Sequence, residues 1–193
     1  FQELRPTIDD RVLDIGGECD PSGASIQLSD LYRWKHQLSI VNIDTDALQR
    51  VREIHPECKT AIGDACRLPF DDQSFDIGFS NAVIEHVVSW ENQMRMAAEI
   101  QRVCKKWFIT TPNRWYPYEF HARLPLVSWL PSHWMRKVMR LICYNHVHKC
   151  YMRGLQTDCI RLMTARELHD LFPTSRILPL RITVFPETLL AIG

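Results

Sequence analysis

Arg11-Val12-Leu13-Asp14-Ile15-Gly16-Gly17 decides the fold. An apolar run ends on an acid and two glycines, the pattern of a buried strand breaking into a tight loop. The next strand-like run, Ser39-Ile40-Val41-Asn42-Ile43, is closed by a second acid, Asp44. After one more short apolar run comes Gly63-Asp64-Ala65. A doubly wound α/β domain holds a nucleoside with this order of strand, glycine turn, helix, strand and acid. Bare glycine backbone lets the ligand approach, and a carboxylate takes the ribose hydroxyls.

Working outward, strands are expected near 11–15, 39–43, 59–62, 75–80 and 106–111. Thr45 opens a helix through Leu48, Val51 and Ile54 that His55-Pro56 stops. Glu91 to Lys105 reads as an amphipathic helix with Met94, Ala97, Ala98 and Ile100 near one face. Thr164 to Glu167 is a capping box for a short helix ending near Phe172-Pro173. Two further strands are expected between Ser175 and Ile192, where Pro179 and Pro186 suit a sheet edge. Alternating strands and helices argue for a mostly parallel sheet covered on both faces. The aromatic, proline-rich segment 112–158 breaks the alternation with Trp115, Tyr116, Tyr118, Phe120, Trp129 and Trp134. It follows the fifth strand, so it belongs above the carboxyl ends of the sheet, where open α/β sheets bind ligands. We read it as a substrate-covering insertion within a single domain spanning 1–193. The chain reaches its first strand soon after Phe1, so a preceding helix is expected to be missing.

The loop Gly16-Gly17-Glu18-Cys19-Asp20-Pro21-Ser22-Gly23 has two acids where a dinucleotide site would have glycines. Carboxylates repel a pyrophosphate but suit a ligand with cationic groups. S-adenosylmethionine (SAM) carries a sulfonium and an ammonium against one carboxylate, so the loop favours SAM over NAD or FAD. The Gly-Lys-Ser/Thr phosphate loop of nucleotide triphosphatases is absent.

Four segments carry a resemblance. They are Val12 to Gly17, Asn42-Ile43-Asp44, Gly63 to Phe70, and Phe75 to Val87. In order and spacing they resemble the class I SAM-dependent methyltransferases, most of all the small-molecule group called methyltransferase type 11. Thr110 to Arg114 resembles the end of that family's fifth strand. The departure is the loop, where Glu18 and Asp20 replace typical glycines. The resemblance implies a Rossmann-like, doubly wound, mostly parallel sheet with a C-terminal antiparallel hairpin. It implies SAM as cofactor and S-adenosylhomocysteine as product. It places Gly16 and Gly17 against the methionine portion, with Asp14 orienting the loop or reaching the ammonium, which Glu18 could also meet. It gives Asp44, with Thr45 beside it, the ribose hydroxyls. Asp64 and the Ala65 N–H take the adenine, and Asn81 stands where the fourth strand faces the transferred methyl. Plainer readings stay open: Asp44 or Thr45 as helix N-cap, Asp64 as a turn acid, Glu18 as a solvated acid.

For the chemistry, His121 and His86 are the candidate bases, and Asn113, Arg114, Tyr116 and Tyr118 are candidate acceptor contacts. Some quinone-pathway O-methyltransferases bind a divalent cation through an acidic cluster at the Glu85-His86 position. Here Ala82 replaces the earlier acid, so no metal is expected. Cys143, His146, His148, Cys150 and Cys159 invite a zinc reading, but no paired Cys-x-x-Cys occurs and the first four are expected in a helix and its end. The Asp/Asn-Pro-Pro-aromatic motif of base-amino methyltransferases is absent. With 23 Lys+Arg against 23 Asp+Glu, no electrostatic footprint for nucleic acid exists. No long apolar run suggests a membrane span, and no signal peptide is visible. Seven irregularly spaced cysteines read as reduced thiols, hence a cytoplasmic protein. The expected function is methyl transfer from SAM to a small molecule, with oxygen favoured as the receiving atom. The competing expectation is a catalytically inactive relative serving as a binding scaffold.

Overall fold

The computed structural model describes residues 2–20, 25–145, 149–153, 160–181 and 183–193. The chain runs β1 (Val12–Ile15), α1 (Leu28–Leu31), β2 (Leu38–Asn42), α2 (Thr45–Ile54), β3 (Lys59–Ile62), β4 (Phe75–Asn81), α3 (Trp90–Val103) and β5 (Cys104–Pro112). The insertion holds β6 (Tyr118–Glu119), β7 (Leu124–Pro125), α4 (Ser132–Leu141), β8 (Cys143–Asn145) and β9 (Cys150–Met152). The chain then returns through α5 (Ala165–Leu171), β10 (Arg176–Leu180) and β11 (Thr188–Ile192).

Seven strands form one sheet in the order β10-β11-β5-β4-β1-β2-β3. The five from β3 to β5 are parallel, and β11 and β10 add an antiparallel edge. The central strand β1 is buried throughout, which is why it reads as an unbroken apolar run interrupted only by Asp14. Successive strands step outward from β1 to β3, then the chain jumps back to lay β4 on the other side of β1. That reversal opens a crevice at the carboxyl ends of β1 and β4. Pro179 lies in the outermost strand, where a missing N–H costs no ladder bond.

Two apolar clusters cover the sheet. One joins Leu13, Ile15 and Ile109 to Met96, Ile100 and Leu168 from α3 and α5. The other joins Val12, Leu38 and Ile40 to Leu28, Leu48 and Val51 from α1 and α2. The buried face of α3 is Gln93, Met96, Ala97, Ile100 and Val103, whereas Met94 is exposed. The face is rotated from the expected one because Gln93 is spent inside. Its Nε2 donates to the Ile84 and Arg161 carbonyls at 3.0 and 2.9 Å, and its Oε1 accepts from Arg161 at 2.6 Å. α3 also ends earlier than expected, at Val103. Cys104 pairs with Phe75 as the first residue of β5, and its sulfur packs on Gly78, where a Cβ would stand 2.7 Å away.

The insertion has its own cluster, with Ala122, Val127, Met135, Met139 and Cys143 packed on Ile160 and Leu162. The expected helix over Cys143 to Cys150 is not found. α4 stops at Leu141, and β8 and β9 form an antiparallel pair in which Cys143 faces Met152 and Asn145 faces Cys150. Ile142-Cys143-Tyr144 is a β-branched and aromatic run that favours strand. His146, His148 and Cys159 lie outside the described residues. The described cysteines, Cys143 and Cys150 included, are free thiols. No helix among the described residues is long and apolar enough to cross a membrane.

Candidate functional site

The crevice at the carboxyl ends of the strands holds a cavity of about 260 Å³. Its lining includes Gly16, Ile43, Asp64, Ala65, Val83 and His86, and none of its lining residues is Lys or Arg. A larger hollow of about 340 Å³ lies at the opposite ends of the strands, bordered by Arg11, Ser39, Lys59 and Phe75. It is on the wrong side of a parallel sheet for ligand binding.

The glycine loop is built by contact as much as by flexibility. Gly16 has φ +79°, and a Cβ there would sit 2.6 Å from a Val83 methyl. Its N–H donates to the Val41 carbonyl at 2.8 Å, tying the loop to β2. A Cβ on Gly17 would meet Asp14 Oδ2 at 2.4 Å. Asp14 is thus packed beneath the loop, buried, and burial pushes its carboxyl up to about 7. Glu18 is exposed, and Asp20 is tied within the loop by accepting from the Ser25 N–H at 2.8 Å.

Asn42 joins loop and acid. Its Nδ2 donates to the Gly17 carbonyl at 2.9 Å, and its Oδ1 accepts from the Asp44 N–H at 3.0 Å. Asp44 caps α2, with Oδ1 accepting from Asp46 N and Ala47 N at 2.8 and 3.2 Å, while Thr45 is the exposed first helical residue. Ile43 beside it is 73% exposed on the cavity wall, an apolar surface left uncovered at a ligand-sized opening. Asp64 closes a turn by accepting from Cys66 N at 2.8 Å, yet it and Ala65 both line the cavity. Asn81, at the end of β4, accepts from the Thr110 hydroxyl at 2.6 Å and is exposed, outside the cavity lining.

A second group of side chains meets at the end of the crevice. His86 lines the cavity, and its ring lies 5.0 Å from that of His121 in a T-shaped contact. His121 Nδ1 bonds Glu119 at 2.7 Å, and Glu119 also accepts from the N–H groups of His121 and Ala122. Burial alone would raise the Glu119 carboxyl, but these bonds hold it below its ordinary value. Burial alone would lower the His121 imidazole, but Glu119 holds it above its ordinary value. The His86 imidazole is pushed down by the protein packed around its ring and by the facing His121. Glu85 is fully buried, because its turn folds under β5. Its Oε2 accepts from the Thr111 hydroxyl at 3.1 Å, its Oε1 has no partner, and burial pushes its carboxyl up to about 7. Ligand-capable atoms of Glu85, His86 and His121 lie within 4.8 Å of one another.

The four expected acceptor contacts lie outside the cavity lining. Asn113 is buried and spent on the Pro186 carbonyl and the Trp115 N–H at 2.8 and 3.1 Å. Arg114 donates to the Leu130 carbonyl at 3.3 Å and rides over the Trp115 ring. Tyr116 stacks on Phe120 with centroids 5.3 Å apart, and Tyr118 meets the same ring edge-on. Glu85, Glu119 and Asn42 are the site groups that sequence reasoning left without a role. Asn42 could have been found from its place two residues before an acid at a strand end.

A parallel sheet with its crevice at the β1/β4 reversal and an antiparallel closing hairpin defines the class I methyltransferase fold. Residues 13–107 match the family model described as a methyltransferase domain. Over these residues the chain is similar to the SAM-dependent methyltransferases, and its fold is the class I fold. Among solved structures it is similar to a SAM-dependent methyltransferase from Methanosarcina mazei, at 16% identity and TM-score 0.61, covering 97% of this chain and 92% of that one. A SAM-dependent methyltransferase from Mesorhizobium loti is alike at 13% identity and TM-score 0.61, covering 98% and 94%. Phosphoethanolamine N-methyltransferase 2 of Haemonchus contortus, solved with S-adenosyl-L-methionine, aligns at 16% identity and TM-score 0.58, over 93% of this chain and 37% of that one. No curated protein matches this sequence.

Proposed function

We propose that this chain transfers a methyl group from SAM to a hydroxyl of a small-molecule acceptor. The observation that carries the cofactor is the crevice lining: a glycine floor, apolar walls and Asp64, without a single Lys or Arg. A pyrophosphate needs cations there, whereas a sulfonium is repelled by them. Asp44 keeps Oδ2 for the ribose hydroxyls while Oδ1 caps α2. Asp64 and the Ala65 N–H take the adenine edge beside Ile43. Asp14, buried under Gly17, supplies negative charge below the ammonium, and Glu18, Thr45 and Asn81 border the cofactor from the open side.

When bound, SAM supplies an electrophilic methyl on a sulfonium. The protein's share is alignment, exclusion of water and one proton. His121 accepts the acceptor's hydroxyl proton at Nε2 while Nδ1–H stays on Glu119, which fixes the tautomer and stabilises the imidazolium. His86 walls the reacting end. Glu85, its carboxyl near half-protonated at neutral pH, lies buried beside His86 and His121 with Oε1 unpartnered. The reading needs no resident metal. The insertion 112–158 covers the acceptor, with Asn113, Arg114, Tyr116 and Tyr118 shaping that side, and the whole of 1–193 works as one domain.

Thermal denaturation with SAM or S-adenosylhomocysteine tests the reading. At about a hundred times Kd, selective binding adds about 2.7 kcal/mol of stability. A chain that shows no rise with either ligand is a scaffold, and the proposal fails.

A further inference from the structure

We propose that the insertion docks this protein peripherally on an anionic lipid bilayer, with α4 lying in the headgroup plane. Charge separation is the first observation. Residues 112–158 carry seven Lys/Arg and two Asp/Glu, while the rest of the chain carries sixteen and twenty-one. The neutral total conceals a basic insertion on an acidic body. Of the insertion's two acids, Glu119 is buried against His121 and Ala122, and Asp158 lies outside the described residues. Among the described residues, the insertion's surface therefore presents cations and no exposed carboxylate.

The second observation is how α4 divides its faces. Met135 and Met139 are buried in the insertion's cluster. On the neighbouring flank Trp134 and Leu141 turn outward, 51% and 59% exposed, with the half-buried Val138 between them and the cluster. Val138 and Ile142 form one wall of an open apolar groove of about 250 Å³, and the segment from Leu124 to Leu130 forms the other. Lys137 lies at the edge of this flank, its ammonium 4.7 Å from the Trp134 ring, with Arg140 one turn further on. Trp and Leu on one flank with Lys and Arg beside them fit the boundary between headgroups and acyl chains. Indole rings settle there, and long cationic side chains reach back to phosphates. Charge decides the occupant. A second copy would bring the same positive face and repel, whereas an anionic bilayer complements both the apolar flank and the cations. That the acceptor is then a hydroxyl-bearing amphiphile drawn from the membrane rests on the methyl-transfer reading, because the same insertion carries His121. Docking itself does not rest on it.

Sedimentation of the chain with phosphatidylcholine vesicles, and with vesicles that also contain phosphatidylglycerol, tests this. Partition onto the anionic vesicles is expected to be at least about tenfold stronger and to weaken as salt rises. Trp134→Ser with Leu141→Ser is expected to abolish most of it, while the thermal shift with S-adenosylhomocysteine stays intact. Equal partition onto both compositions, none onto either, or an unaffected double variant overturns the proposal. A dimer in light scattering that the double variant dissociates overturns it in favour of a second copy. Failed docking with an intact thermal shift leaves the cofactor reading standing, and a parent chain without a thermal shift sinks that reading without touching the vesicle result.

Discussion

Gly16 and Asp14 show how much one atom matters at the crevice. A Gly16→Ala change puts a Cβ onto Val83 at a positive φ, so about 1–3 kcal/mol of strain is expected. Urea unfolding should show the lower midpoint, and calorimetry should show lost SAM affinity. Asp14 releases its proton near pH 7, so SAM affinity is expected to rise as pH passes through about 7. Titration of Asp14→Asn should show that rise gone; if it persists, Asp14 does not face the ammonium. His121 must be neutral to accept a proton, so kcat/KM should climb with pH through a value above the free imidazole's. Glu119→Gln removes what raises that value, and the inflection should move to lower pH with roughly tenfold or greater loss of rate. Local chemistry made the turns at Gly16, Asp44 and Asp64 readable in the sequence, since each sits in a run whose neighbours define its turn. Glu85, His121 and Glu119 were not readable together. Only the path of the insertion back over the β4 end brings His121 against His86, and no local pattern encodes that path.

At the scale of elements, α2 starts on Asp44, its cap, to which the proposed function also gives the ribose. Asp44→Ala removes the cap and should cost about 1 kcal/mol of stability as well as the thermal shift with SAM. Asp44→Ser keeps a capping oxygen but not a paired one. Near-parental stability with weakened cofactor binding is expected; equal SAM affinity in Asp44→Ser and parent would reduce Asp44 to a cap. The element boundaries were legible where sequence carried a stop signal, as at His55-Pro56 and at the Thr164–Glu167 box, which the structure forms with Thr164 Oγ1 accepting from Glu167 N at 3.2 Å. The rotated face of α3 was not legible. A buried glutamine is invisible to hydrophobic periodicity, and its partners lie on Ile84 and Arg161.

Across the whole molecule, two buried carboxyls bias stability towards acid. Asp14 and Glu85 hold protons up to about 7 in the fold but lose them near 3.8 and 4.5 when free. The folded state binds more protons between those limits, so stability falls as pH rises through that window, by at most about 1.4 kcal/mol per unit for each group. His121, raised, acts with the same sign, because its stabilisation is lost as pH rises through its folded value. Asp30, Asp76, Glu99 and Glu167 are lowered, and their contribution is lost only as pH falls through their folded values, below the ordinary carboxylate range. Tm is therefore expected to peak on the acid side of neutrality. Asp14→Asn should flatten the decline towards pH 7, and a flat parental curve would contradict the burial of these groups.

The sheet's connectivity also sets a schedule for synthesis. β5 finds its second neighbour only when β11 arrives, pairing Phe108 with Ile192 across the whole insertion. Until then a nascent chain carries a long naked strand margin, an adhesive template for other chains. A version halted before Thr188 should clump during refolding, and ribosome-bound chains of that length should depend on chaperones to stay dispersed.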